Sequence, residues 1–368
     1  MRAIVVGAGI VGISLAFHLA KKGISTSVLD PNRPGGGASF SGFACLNIFG
    51  HKSDAYYELR LEALRYHRTL ARSLDAEDLL HMCGTLRWSD GKDGRSALDR
   101  EALRLRERGA DCSPVPAEVS LEGLEPSLDL TSVSQRPILV SAEGWLDVVP
   151  YLGRLLAAAA ATGKFSRIVA KAVDITILPQ GVRVSTDEGE LEADIVALAA
   201  GVACRRLAAS LGGSLPVEEH PGVTIVSAPS RFTPRHIIYA PGIHFRADGG
   251  GRVLAALAEG HANRPSPSPE EAAEEAAKIM TRLARWMPGF EETPIEAVRI
   301  GVRPVPSDSY PIAGYLPGLD RVYAAVYHSG ITLAPLLGRL CAEEISSAKT
   351  FAALDAYRPQ RFATAARA

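Results

Sequence analysis

The sequence predicts a two-domain α/β protein, in which a domain built on a parallel sheet is interleaved with a domain built on a largely antiparallel sheet. At the amino terminus, a glycine-rich turn joins an apolar run to a helical pattern. The same alternation of apolar runs and helical patterns returns in the middle and at the end of the 368 residues. Between these parts, four short strand-like runs are separated by Gly, Pro and Asp, a spacing typical of antiparallel sheets.

The amino-terminal elements follow a strand–helix–strand order. Residues 3–6 are a fully apolar run that ends at a glycine, as expected of a buried parallel strand. Residues 10–22 carry apolar side chains at helical spacing and end in two lysines before Gly23, which predicts a helix. Residues 26–29 predict a second strand, which leads into a turn and loop at residues 31–37.

The remaining elements follow from the same periodicities. Helices are predicted at residues 56–79, 97–109, 148–162, 268–287 and 332–346. Strands are predicted at residues 85–88, 168–178, 182–186, 195–198, 223–227, 235–239, 243–246, 252–257 and 322–326. We therefore expect one domain from residues 1–80, 140–215 and 305–368, and a second domain from residues 81–139 and 216–304.

Composition excludes several classes of function. The formal net charge is −1, without the basic excess that nucleic-acid partners or anionic membranes require. Five scattered cysteines form no CxxC pair, so neither a metal site nor a dithiol centre is expected. An odd set of cysteines suits a reducing compartment, and no apolar stretch reaches the roughly 20 residues of a membrane span. The expected location is the cytoplasm.

The amino-terminal turn reads Gly7-Ala8-Gly9-Ile10-Val11-Gly12. The first glycine permits a tight turn, the second lets the backbone approach a pyrophosphate, and the third lets helix and strand pack closely. Asp30, at the end of the next predicted strand, would accept hydrogen bonds from a ribose diol, which disfavours NADP. In this context the motif predicts a Rossmann-type site for NAD or FAD. The alternative is a glycine-rich helix start without a ligand.

Three later segments each allow two interpretations. Residues 195–201 end in small residues that would let a cofactor pass, or they form an ordinary buried strand. Arg303, between Val302 and Pro304, would clamp a carboxylate or form a salt bridge with an acidic residue. His328, just before the last predicted helix, would be catalytic or structural.

Together these motifs resemble the FAD-dependent amine and amino-acid oxidoreductases of the D-amino acid oxidase, glycine oxidase and sarcosine oxidase group. The resemblance covers almost the whole chain. Besides the glycine-rich turn it rests on Gly36-Gly37-Ala38-Ser39, Gly84-Thr85-Leu86, Leu124-Glu125-Pro126, Ala193-Asp194, Ala199-Ala200-Gly201, Gly301-Val302-Arg303-Pro304 and Leu333-Ala334-Pro335. It implies a Rossmann-type FAD-binding domain with an interleaved substrate domain. Because residues 300–340 contain no cysteine, FAD is expected to be non-covalent.

The resemblance also implies roles for individual residues. The adenosine ribose would lie on Asp30, the adenine against the backbone of Val169, and the flavin O2 and N1 atoms beside the helix start at Gly330. The full set expected to hold FAD is Gly7, Ala8, Gly9, Ile10, Val11, Gly12, Asp30, Pro31, Ala38, Ser39, Val169, Ala200, Gly201, Ser329, Gly330, Ile331 and Thr332.

The substrate side departs from the family pattern. Arg303 matches the arginine that clamps the substrate carboxylate, whereas His328 stands where glycine oxidase-like proteins carry a second arginine. His244 or Tyr239 takes the place of a family tyrosine. The expected catalytic residues are His328, Arg303 and Tyr327, and the expected substrate-binding residues are Arg303, His328, His244 and Tyr239.

The implied reaction is oxidation of the C–N bond of a small amino acid or N-methyl amino acid, of the D-amino acid, glycine or sarcosine type. Hydride would pass to flavin N5, with oxygen or another acceptor taking the electrons. One alternative is a 2-hydroxy acid dehydrogenase that uses His328 as its base. Another is a flavin-carrying subunit without its own turnover. A peripheral membrane or a partner subunit would be an electron acceptor, and an oligomer is compatible with the sequence.

Overall fold

The computed structural model describes residues 1–50, 53–258 and 264–362. The helices of this part of the chain are α1 (Ile10–Lys21), α2 (Ala38–Ser41), α3 (Asp54–Ser73), α4 (Gly91–Glu107), α5 (Leu121–Leu124), α6 (Val148–Ala161), α7 (Ala203–Ser210), α8 (Pro269–Trp286) and α9 (Gly330–Ser347). The strands are β1 (Arg2–Val6), β2 (Ser25–Leu29), β3 (Cys45–Leu46), β4 (Leu80–His81), β5 (Thr85–Arg87), β6 (Cys112–Pro114), β7 (Ile138–Val140), β8 (Gly144–Leu146), β9 (Phe165–Ile168), β10 (Ala172–Leu178), β11 (Gly181–Thr186), β12 (Gly189–Ala193), β13 (Ile195–Leu198), β14 (Val217–Ser227), β15 (Ile237–Ala240), β16 (Ile243–Ala247), β17 (Val253–Leu257), β18 (Ile295–Pro306), β19 (Ile312–Leu316) and β20 (Leu319–Val326).

A six-stranded sheet with the order β19-β20-β13-β1-β2-β9 forms the centre of the first domain. Only β19 runs antiparallel to its neighbour. Successive residues of β1 enter different cores, because side chains alternate across a strand. Ala3 and Val5 pack with the core of α1, α3, α6 and α9, whereas Ile4 and Val6 pack with β10, β11 and α7. Burial on both faces explains why this strand is apolar throughout.

An eight-stranded sheet with the order β18-β14-β17-β16-β15-β5-β7-β6 forms the second domain. All its pairs are antiparallel except β5 with β15. Helix α8 covers this sheet with Ala272, Ala276, Ile279 and Leu283, which recur at helical spacing and are buried. A capping box between Ser268 and Glu271 fixes where this helix begins.

The predicted fold class is confirmed, but several element boundaries are wrong. Residues 168–178 form two strands in different sheets, since the chain leaves the six-stranded sheet after Ile168 and joins β11 from Ala172. The helix predicted at residues 56–79 ends at Ser73, because Asp75 takes a positive φ of 50°. The helix predicted at residues 97–109 begins at Gly91 and ends at Glu107.

The two large sheets take their strands from different parts of the chain, and the exact division into domains stays a prediction. The six-stranded sheet draws only on residues 1–80, 140–215 and 305–368. The eight-stranded sheet draws on residues 81–139 and 216–304, except that β7 ends at Val140 and β18 continues to Pro306. Residues 51–52, 259–263 and 363–368, which also fall within these parts, lie outside the described residues. Within the described ranges, no helix combines the length and apolarity that crossing a membrane requires.

Candidate active site

A cavity of about 720 Å³ lies where the two large sheets meet. On one side it is lined from the carboxyl ends of β1, β2, β13 and β20. On the other side it is lined by residues of β14, β16, β17 and β18. The carboxyl edge of a parallel sheet is where open α/β folds bind ligands. The volume lies within the range of small-molecule and cofactor sites.

The glycine-rich turn has the geometry that its three glycines predicted. Gly7 has a φ of +112°, and a Cβ there would lie 2.5 Å from the carbonyl oxygen of Ala199. A Cβ on Gly12 would lie 1.9 Å from the carbonyl oxygen of Gly7. A Cβ on Gly9 would meet only the Ser39 hydroxyl, at 3.3 Å. Gly7 and Gly12 are therefore required by packing, whereas Gly9 lines the cavity without placing a side chain in it.

Asp30 and Ser39 fix the start of α1. Asp30 Oδ2 accepts a hydrogen bond of 2.8 Å from the amide of Ala8, and its Oδ1 accepts one of 2.8 Å from the amide of Asn32. The hydroxyl of Ser39 accepts a hydrogen bond of 3.0 Å from the amide of Ile10. Each carboxylate oxygen has a second lone pair, so Asp30 can hold the turn and still accept from a ribose hydroxyl. With no acidic residue in its first turn, the amino terminus of α1 fits a pyrophosphate.

Most residues expected to hold the cofactor line the cavity. They are Gly7, Gly9, Ile10, Val11, Asp30, Pro31, Ala38, Ser39, Ala200, Gly201, Ser329, Gly330, Ile331 and Thr332. Ala8 and Gly12 do not line it, since their part is to pack the turn. Residues 195–201 combine a buried strand and a part of the cavity wall. Strand β13 is fully buried, and the small residues that follow it line the cavity.

The backbone contact of Val169 with adenine stays a prediction. This residue lies between β9 and β10, with 58% of its surface exposed, and it does not line the cavity. Lys171 and Ala172 line the cavity instead.

Arg303 lies in β18 and lines the cavity from the side of the eight-stranded sheet. Its Nε donates a hydrogen bond of 3.3 Å to the carbonyl oxygen of His220, on the paired strand. Burial lowers the pKa of the Arg303 guanidinium. Within the described ranges no acidic side chain forms a salt bridge with it, so the structure does not show the salt-bridge alternative.

His328 lies between β20 and α9, with its ring exposed to the cavity rather than packed in a core. Desolvation by the surrounding protein, followed by the charges of Arg303 and Arg60, lowers the pKa of His328 to about 4. The imidazole is therefore neutral near pH 7. A neutral ring can donate or accept a hydrogen bond, but it cannot replace a second arginine as a cation.

His244 and Tyr239 form an aromatic wall with Phe43. They are paired across β15 and β16, with ring centroids 5.6 Å apart. The Phe43 ring meets His244 edge-on at 4.4 Å. Burial lowers the pKa of His244 to about 3. Behind this wall, Arg87 lies 3.7 Å from the centre of the Tyr239 ring, which keeps that ring in place.

Tyr327 does not present its hydroxyl to the cavity. The residue is 2% exposed, and its hydroxyl lies 3.4 Å from the sulfur of Cys341 in α9. Tyr327 still lines the cavity with part of its surface, whereas His328, in the turn that follows β20, is exposed. The catalytic role of Tyr327 stays a prediction, and the structure directs its hydroxyl towards Cys341.

Several cavity residues were missed from the sequence, among them Phe43, Cys45, Asn47 and Lys171. Arg60 was also missed, although it is 1% exposed and its NH1 donates a hydrogen bond of 2.6 Å to the hydroxyl of Ser329. One signal was available: Arg60 stands on the apolar face of an otherwise amphipathic helix. Within the described part of the chain, no group of three His, Cys, Asp or Glu side chains could hold a metal ion.

The fold and the cavity define a cofactor-binding protein of the two-sheet α/β type, and comparison with known proteins gives its family. The family model described as DAO, FAD dependent oxidoreductase, matches residues 2–344. The glycine oxidase of Geobacillus kaustophilus (strain HTA426) is 24% identical over 359 residues, which cover 94% of this chain and 93% of that protein. A subunit of the opine oxidase of Agrobacterium tumefaciens (strain Ach5) is 24% identical over 366 residues, or 97% and 96% of the two chains.

A solved structure shows the same fold. The crystal structure of glycine oxidase from Geobacillus kaustophilus superposes with a TM-score of 0.87 at 23% identity, covering 97% of this chain and 98% of that chain. The chain belongs to the DAO family of FAD-dependent oxidoreductases. Its cofactor is FAD, and the choice between NAD and FAD that the glycine-rich turn left open is settled.

Proposed function

We propose that this enzyme oxidises the C–N bond of a small amino acid or N-methyl amino acid. The observation that carries the proposal is Arg303, a cavity-lining guanidinium without a salt bridge among the described residues. A planar pair of N–H donors matches a carboxylate, and a partly desolvated cation gains most from an anionic ligand. The related glycine oxidase, whose name states an amino-acid substrate, supports the same assignment.

Bound FAD would supply a hydride acceptor at N5. The residues around Gly7 and Gly9 would hold the pyrophosphate, and Asp30 the adenosine ribose. The start of α9 at Gly330 would lie beside the pyrimidine ring. The non-covalent state is part of the proposal, because residues 300–340 contain no cysteine and Cys341 is buried against Tyr327, away from the cavity; Cys45 does line the cavity. Acid precipitation that leaves the flavin on the protein would contradict this.

The chain's own contribution would be orientation. With its carboxylate on Arg303, the substrate would be fixed at one end, and the wall of His244 and Tyr239 would limit the other end. Placing a reacting bond in the right geometry is worth on the order of 7–11 kcal/mol at best. This needs no strong acid or base, in agreement with imidazoles whose low pKa values keep them neutral.

The test is anaerobic mixing of the FAD-loaded enzyme with a panel of D-amino acids, glycine, N-methyl amino acids and 2-hydroxy acids. The proposal expects the flavin absorbance near 450 nm to be lost with at least one amino acid. Loss with hydroxy acids alone would contradict it. Repeating the active reaction with oxygen and with an artificial acceptor identifies the electron acceptor.

A second candidate, 2-hydroxy acid oxidation, is favoured by one observation. His328 faces the cavity and its pKa of about 4 makes it neutral, as a base for an alcohol proton must be. In that case kcat/KM for a hydroxy acid would fall as the pH drops towards 4. The His328→Ala substitution would lower the same kcat/KM more than tenfold. A smaller loss would exclude His328 as the base.

The related opine oxidase chain is named as one subunit of its enzyme. This name favours a third candidate function, that of a flavin-carrying subunit that acts only with a partner. A flavin that no amino or hydroxy acid reduces would favour this candidate over both others.

A further inference from the structure

Arg60 is a buried cation without a salt bridge in the described part of the chain. It lies in α3 and is 1% exposed. Its Nε donates a hydrogen bond of 2.8 Å to the carbonyl oxygen of Asn47, and its NH2 also contacts the side-chain oxygen of Asn47. Its NH1 reaches the hydroxyls of Tyr56, at 3.3 Å, and Ser329, at 2.6 Å. All these partners are neutral. Burying a charge on neutral partners alone is costly, so a stability role explains Arg60 poorly.

A second residue of α3 supports the same turn of α9. His67 lies two helical turns after Arg60, and its Nε2 lies 2.9 Å from the carbonyl oxygen of Ile331 and 3.1 Å from that of Thr332. Both partners are acceptors, so Nε2 carries the proton and donates. Pro335 has no N–H, and the Ile331 carbonyl therefore lacks the intrahelical donor it would normally have. His67 supplies the missing donor.

The loop opposite α3 is bonded to the same turn. The hydroxyl of Thr332 donates to the carbonyl oxygen of Cys45 at 3.3 Å and accepts from the amide of Asn47 at 3.4 Å. Asn47 in turn is held by Arg60. Cys45, Asn47, Ser329 and Thr332 all line the cavity. Arg60 lies directly behind this wall.

We propose that Arg60 is a positioning residue that holds the first turn of α9 and places a full positive charge behind it. This inference rests on the flavin placement proposed above, with the pyrimidine ring beside Gly330. A helix amino terminus offers about half an elementary charge, and Arg60 adds a whole one in a poorly solvated location. Reduction increases the negative charge on the flavin, so this arrangement favours the reduced over the oxidised cofactor. The negative charge of the reduced flavin would then compensate the buried positive charge of Arg60.

The test compares three variants by the reduction potential of the bound flavin, measured against a reference dye without any substrate. Arg60→Met removes the charge and the hydrogen bonds, and Arg60→Lys keeps the charge. Ser329→Ala, the matched control, removes one hydrogen bond and leaves the charge. We expect Arg60→Met to weaken binding of reduced relative to oxidised flavin by at least tenfold, about 30 mV for a two-electron couple. The other two variants should change this ratio by less than threefold.

A shift in Arg60→Met no larger than in Ser329→Ala would overturn the proposal and leave Arg60 a structural cap. If the methionine variant does not fold, Arg60→Gln carries the same test, because its amide can still donate to Ser329. FAD retention and thermal unfolding of each variant report folding separately. Since no substrate is present, a failed substrate assignment leaves this measurement unaffected, and substrate bleaching likewise does not depend on Arg60.

Discussion

At the scale of single residues, the cavity depends on which way each side chain faces. Tyr327 and His328 are neighbours in sequence, yet one contacts Cys341 in the core and the other is exposed to the cavity. A motif gives the positions of such residues, but the path of the chain in the turn between β20 and α9 decides which side chain is available. This could not be read from the sequence, because both residues are compatible with either face.

Arg303→Ala should raise KM for amino-acid substrates while FAD remains bound. Removing one partner of a desolvated charge pair costs about 2–4 kcal/mol, or roughly 30- to 1,000-fold. Steady-state kinetics together with flavin absorbance measure both effects. Arg252→Ala is the control, because Arg252 pairs with Glu296 at the surface and does not line the cavity. Unchanged kinetics in Arg303→Ala would place the carboxylate elsewhere.

At the scale of elements, the amino-terminal strand–turn–helix was predictable, because every part of it is local. The turn depends on Gly7 and Gly12, which lie five residues apart, and the strand has a continuous apolar pattern. The support of α9 by α3 was not predictable, since Arg60 and Ser329 are separated by 269 residues. The hydrophobic periodicity of α3 shows which of its faces is buried, but it does not show which helix packs against that face.

Gly12→Ala should unfold or destabilise the turn and abolish FAD retention. The added Cβ would lie 1.9 Å from a backbone oxygen, which cannot move without disrupting the strand. Gly153→Ala is the control, since this exposed glycine in α6 has open space around it. That change should stabilise the protein slightly, by about 0.5–1 kcal/mol. Thermal unfolding and the flavin content of purified protein measure the contrast.

The contact between α3 and α9 predicts a pH dependence of stability. Burial lowers the pKa of His67 to about 4, from 6.5 in an unfolded chain. Between these values the unfolded state binds the proton and the folded state does not, so the free energy of unfolding decreases as the pH falls from 6.5 towards 4. The loss attributable to His67 is about 3 kcal/mol at pH 4.

Denaturant unfolding of His67→Gln between pH 7 and 4 tests this. Glutamine can still donate to the Ile331 carbonyl but takes up no proton, so the variant should lose less stability on acidification than the natural chain. Equal pH dependence in both proteins would show that His67 does not titrate on unfolding.

At the scale of the whole molecule, the cavity exists because the edges of two different sheets meet. Its lining comes from residues on both sheets, so we expect a ligand that fills the cavity to stabilise both sheets at once. The sequence predicted the two sheets and their interleaving. Of the long paired strands, only residues 223–227 of β14 were predicted, and β18 was missed because Arg303 and Pro304 interrupt its alternation.

FAD should therefore raise the melting temperature of the apoprotein in a single cooperative transition. At a free FAD concentration 100 times the Kd, the added stability is about 2.7 kcal/mol. Calorimetry of the apoprotein over a range of FAD concentrations measures it. Two transitions, of which only one responds to FAD, would show that the domains unfold independently.

The way the glycine-rich turn is built bears on how such enzymes diversify. Around Gly7 and Gly9 the cavity wall consists of backbone atoms, because glycine has no side chain. Few substitutions elsewhere in the chain therefore change this wall. The opposite wall, with Arg303, His244, Tyr239 and His328, is formed by side chains projecting from a separate sheet. Mutations there can alter substrate preference and leave the cofactor in place. A new specificity can thus arise on one sheet while the other keeps the redox chemistry.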